Sequence, residues 1–132
     1  MTLVEYEVSG EHMDILITNN PMVHKYCDGE FRIEFLDDTL TGILLHVRDL
    51  IHKGHTLLTH PLSGSIKPNE TPYKSVILSA KCGNTDERSV RIIGECILVA
   101  QKFNPRDIPE YMLKDMQVVD YSLIRSAIDA RN

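Results

Sequence analysis

The chain has 132 residues, with 14 Lys and Arg against 19 Asp and Glu for a formal net charge of −5, the size of one domain and the wrong sign for a nucleic-acid partner held by its phosphates. A content of 42% hydrophobic and 25% charged residues excludes a disordered or fibrous chain. No apolar run reaches the roughly 20 residues that span a bilayer, and the start from Met1 to Glu7 lacks a basic stretch followed by an apolar core. The sequence therefore predicts one soluble domain over 1–132 in the cytoplasm, with no membrane and no nucleic acid among its partners.

Residues 1–12 alternate loosely and read as an edge strand or a mobile arm. Ile15-Leu16-Ile17 is a β-branched apolar run that predicts a buried strand, ended by Asn19-Asn20-Pro21. Asn20 is placed to cap, and Pro21 to open, a short helix through Tyr26, because proline suits the first helical position. Phe31, Ile33 and Phe35 alternate with Arg32 and Glu34, which predicts an edge strand over 30–36. Leu40, Ile43, Leu44, Val47, Leu50 and Ile51 then fall at the spacing of an amphipathic helix, with carboxylates before it and His52-Lys53-Gly54 closing it.

His55 to Thr59 reads as a third strand, entered directly from that helix. The segment from His60 to Tyr73 carries Pro61, Pro68 and Pro72 and predicts a loop that is long for a compact domain. Ser75 to Ala80 predicts a fourth strand. Asn84 and Glu87 have capping-box spacing ahead of a helix to about Phe103 with a wide apolar face. A short helix over 109–117 and a last one capped by Asp120 or Ser122 complete the chain.

This alternation predicts a small three-layer α/β domain, with a mostly parallel four-stranded sheet in the order 2-1-3-4 and helices on both faces. Open sheets of that kind bind ligands at the carboxyl ends of their strands, beside the point where strand order reverses. The loops expected there are 19–21 and 60–73. Asn19, Asn20 and Asn69 offer amide hydrogen bonds, while Ser63, Gly64, Ser65 and Lys67 could present hydroxyls, backbone N–H groups and an ammonium to a phosphate or carboxylate. The spacing is not that of a Walker loop or a dinucleotide fingerprint. His60 is the one candidate for acid/base work, since its ordinary pKa lies near neutrality. The remaining histidines form no ligand cluster, so neither a metal nor a cofactor is predicted. Cys27, Cys82 and Cys96 form no CxxC pair; Cys96 lies on an apolar helix stripe, and nothing near Cys27 or Cys82 supplies a positioned base.

The segments from Asp14 to Pro21 and from His60 to Tyr73 resemble the GrdX family, small proteins of the glycine, sarcosine and betaine reductase gene clusters of amino-acid-fermenting anaerobic bacteria. The resemblance implies association with a selenium- and thiol-dependent reductase system, and it implies no catalytic residue. Two readings follow. In one, the chain is a non-catalytic accessory protein that docks on reductase components through a loop whose prolines lower the ordering cost of binding. In the other, it is a binder of a small anion, or an enzyme, using the crevice between loops 19–21 and 60–73. The last helix also offers a surface on which two copies could pair as a homodimer.

Overall fold

The structure is a computed structural model that describes residues 13–62, 67–104 and 106–131. The arm expected over 1–12 lies outside the described residues. Strand β1 (Ile15–Thr18) is buried throughout. Helix α1 (Pro21–Cys27) follows, its first turn capped by the Asn20 side chain, which accepts from the Met22 N–H. Strand β2 (Arg32–Phe35), helix α2 (Leu40–His52), strand β3 (Ser75–Leu78), helix α3 (Glu87–Gln101) and helix α4 (Glu110–Arg131) complete the order.

The sheet corrects the expected topology. It has three strands in the order β2-β1-β3, with β1 and β2 parallel and β3 antiparallel to β1, in register Ile15 to Leu78 and Thr18 to Ser75. A parallel return needs a crossover, usually a helix. Among the described residues the proline-rich segment after residue 59 supplies none, and β3 takes the place beside β1, antiparallel to it.

The predicted strand over 55–59 lies outside β3 and makes a single antiparallel bridge, Leu57 to Leu78. Two backbone bonds join it to β3, from the Leu58 N–H to the Ile77 carbonyl at 2.9 Å and from the Ser79 N–H to the Thr56 carbonyl at 2.8 Å, while side chains take neighbouring donors. The Leu57 N–H donates to Ser89 Oγ at 3.0 Å, the Thr56 N–H to Ser79 Oγ at 2.8 Å, and the Ile77 N–H to Thr59 Oγ1 at 3.0 Å.

Alternation along β1 builds two cores, because successive strand side chains point to opposite faces. Ile15 and Ile17 pack with Ile43, Leu44 and Val47 of α2 and with Ile93 and Ile97 of α3. Leu16 packs on the other face with Val23 and Cys27 of α1 and with Ile124 and Ile128 of α4. Helices thus cover both faces of the sheet.

Helix α4 is a further correction, since it is one element of 22 residues rather than two short helices. Asp120, expected as a cap, is buried in mid-helix and spends its carboxylate on tertiary hydrogen bonds. Asp86, rather than Asn84, caps α3, accepting from the Ser89 N–H at 3.0 Å.

Candidate functional site

The carboxyl end of β1 runs into Asn19 and Asn20, both buried. Asn19 Nδ2 donates to the carbonyls of Asp38 at 2.9 Å and Pro72 at 2.8 Å, and its Oδ1 accepts from the Lys74 N–H at 2.8 Å. One side chain therefore ties the end of β1 to the segment after β2 and to the segment before β3. Asn20 works in the same way on the other side: it caps α1, and its Nδ2 donates to the Gln117 carbonyl at 2.9 Å and to Asp120 Oδ2 at 3.0 Å. Both amides are spent on struts that hold the site's walls.

Those walls border an open cavity of about 580 Å³ at the carboxyl ends of β1 and β2, within the range of roughly 300–1,000 Å³ typical of small-molecule sites. Leu40, Ala100, Phe103, Ile108 and Leu113 make its apolar side. Asp37, Asp38, Thr41, Asn69 and Arg106 make its polar side, with Tyr73 held in place by a 2.9 Å hydrogen bond from Gln117 Nε2. Asn69 Oδ1 is shielded from solvent and meets no donor among the described residues.

The start of α2 forms one lip. Thr39 Oγ1 accepts from the Gly42 N–H at 3.0 Å, and Asp38 Oδ1 accepts from the Thr39 N–H at 2.7 Å. Asp38's carboxyl group lies where a side chain on Gly42 would begin. A carboxylate of the chain itself therefore occupies the positive end of this helix, where a bound anion would otherwise sit.

Of the residues singled out in the sequence, Asn19 and Asn69 line the cavity. Ser63, Gly64 and Ser65 lie outside the described residues. Lys67 is exposed and is not part of the lining. His60 stands elsewhere: its Nδ1 accepts from the Leu62 N–H at 3.1 Å, and it borders a gap of about 10 Å³ with Lys74 and Asp120, room for one water at most. Burial pushes the Asp120 carboxyl above the usual range, against the bonds from Asn20 and Ser75, and pushes the Lys74 ammonium down.

Burial raises the thiols of Cys27 and Cys96, while Cys82 is exposed and donates to the Lys53 carbonyl at 2.6 Å. Among the described residues no three His, Cys, Asp or Glu side chains come together to hold a metal ion, and no helix is long and apolar enough to cross a membrane.

Sequence reasoning missed Asp37, Asp38, Phe103, Arg106 and Leu113. The signal for the two aspartates was present but read only as complementing the α2 dipole. Phe103 and Arg106 come from the connection between α3 and α4, and Leu113 from the first turn of α4, whose paths over the sheet end no local pattern encodes.

Fold and crevice together define a small three-layer α/β domain with a ligand-sized cleft at the carboxyl ends of a parallel strand pair. The family model described as GrdX-like protein matches residues 15–129, and the chain belongs to the GrdX-like protein family. At the level of the family this supports an association with glycine-reductase-type systems. No curated protein and no solved structure matches the chain.

Proposed function

We propose that this chain is a ligand-binding accessory protein of glycine, sarcosine and betaine reductase systems, which holds a small molecule in the crevice at the carboxyl ends of β1 and β2 without transforming it. The cavity carries this reading: a volume of about 580 Å³ lined by both apolar and polar side chains is far more than packing around three short strands requires. A binding role rather than a catalytic one is supported by the placement of His60 away from that cavity and by the burial of Cys27 and Cys96. The proline-rich segment contributes as a wall, through Pro68, Asn69 and Pro72, rather than as a free docking loop.

Thermal unfolding against a panel of glycine, sarcosine, betaine, phosphate, acetyl phosphate and nucleotides tests the reading. A ligand at about 100 times its dissociation constant adds roughly 2.7 kcal/mol, a shift of several degrees for a domain this size. The expected result is a shift with one chemical class, abolished in Phe103→Ser and retained in Lys67→Ala. No shift with any member, together with capture of reductase components by the same protein, would replace this reading with a docking one.

A further inference from the structure

The polar side of the crevice also says which ligand charge it suits, an inference that rests on the binding reading above. We infer that the crevice takes an organic cation, an ammonium group on an apolar body, with the ammonium at Asp37 and Asp38 and the body against Leu40, Phe103, Ile108 and Leu113.

Two observations carry this inference. First, the helix N-terminus that would attract an anion is already answered by Asp38, seated over Gly42, so a second negative group there would meet repulsion instead of free N–H donors. Second, the lining holds two carboxylates against one guanidinium, that of Arg106, and Lys67 lies outside it. Asp37's carboxylate makes no hydrogen bond or ion pair among the described residues, which leaves it available to a ligand.

The apolar side sets the rest of the ligand. Phe103, Ile108 and Leu113 are each partly exposed and face the cavity together with the buried Leu40. They favour a hydrocarbon body over a bare inorganic cation, because burying apolar surface contributes roughly 25 cal/mol per Å². Two carboxylates on an open lip also lack the enclosed oxygen cage that a hard metal ion demands.

The test uses the purified full chain and three probes of one shape: 4-phenylbutylammonium, 4-phenylbutanol and 4-phenylbutyrate. Amide chemical-shift titrations locate and rank their binding. The ammonium should bind about tenfold tighter than the butyrate, with the alcohol between them, and should move amides of 37–42 and 103–113. Asp37→Asn should bring the ammonium and alcohol affinities within about threefold of each other, and raising salt from about 50 to about 500 mM should weaken the ammonium alone.

Butyrate binding as tightly as the ammonium, at the same amides, would overturn the charge assignment and leave the crevice reading standing. Ammonium binding that moves other amides would overturn the placement. No binding by any of the three would overturn both, since the shared hydrocarbon body alone should enter this cavity.

Discussion

Asn20 and Asp120 are separated by 100 positions, yet the Asn20 amide donates to Asp120 Oδ2 at 3.0 Å inside the protein. Ser75 Oγ donates to the same oxygen at 2.8 Å, and Ser75 Oγ lies 2.7 Å from Thr18 Oγ1. The ends of β1 and β3, the start of α1 and the middle of α4 are thereby fixed to one another. Only Ile124 and Ile128 of α4 join the apolar core as buried residues, so this polar cluster sets how α4 lies on the sheet. Leu113, about two turns earlier on the same helix, then falls into the crevice wall.

Asp120→Asn should reveal the cluster in the pH dependence of stability. Burial raises the folded carboxyl above its unfolded value near 4. A raised folded pKa means that the group's contribution is fully present below about pH 4 and is lost as pH rises through the folded value. Wild-type stability measured against the variant should therefore fall steadily from about pH 4 toward neutrality, read by urea unfolding at each pH. Other carboxylates cancel in the difference. A flat or rising difference would mean that Asp120 is better solvated than its packing against Ser75, Lys74 and Asn20 implies.

Asn19→Ala should be one of the most damaging changes at the site. Three hydrogen bonds to backbone groups vanish, and each net bond is worth about 1 kcal/mol, more where the partner stays buried. The expected loss is about 3 kcal/mol, or a Tm lower by about 10 °C. Lys67→Ala, at an exposed position outside the cavity, should stay within about 0.5 kcal/mol of wild type. Equal losses in both variants would mean that Asn19 does not tie the loops together.

The sequence made the helical half of the fold readable and the sheet only in part. Six apolar positions at 3.6-residue spacing define α2, and Asn20-Pro21 marks the start of α1, because both signals are local. Strand order is not local. The βαβ rule places 55–59 parallel to β1, but it says nothing about a strand that returns through a loop and slips between them. Asp120 illustrates the same limit at the site: an acidic residue near a predicted boundary reads as a cap until the fold brings Asn20 and Ser75 to it. Asn19 was legible as a crevice residue because it follows a buried strand just ahead of Asn20-Pro21, and Asn69 because it lies beside Pro68 in the long loop. Arg106 and Phe103 reach it only through tertiary structure.

Gly42→Ala separates the helix from its lip. In a helix interior the change normally stabilises by about 1 kcal/mol. Here the new methyl must displace the Asp38 carboxyl group, which forfeits a bond to the Thr39 N–H and a favourable charge at the helix start, together about 1 kcal/mol. Stability should remain within about 0.5 kcal/mol of wild type. The preference of the crevice for the ammonium probe over the butyrate should shrink, because the helix N-terminus is then open to an anion. An unchanged preference would show that Asp38 does not set the charge of the lip.

Gly54→Ala and Gly94→Ala should act in opposite directions, for reasons that lie in the backbone. Gly54 closes α2 with φ at +112°, a conformation that strains any side chain. A Cβ there would also run into the backbone carbonyl of Gly83, whose N–H donates to the Gly54 carbonyl at 3.0 Å. Backbone cannot swing aside as a side chain can, so the substitution should cost more than about 2 kcal/mol and loosen the joint between α2 and the 55–59 segment. Gly94 lies inside α3, where a Cβ would meet nothing within 4 Å, and alanine should stabilise by about 0.5–1 kcal/mol. Urea unfolding of the two variants reads both signs, and a Gly54→Ala protein as stable as wild type would mean that the 54 and 83 backbones are not in contact in solution.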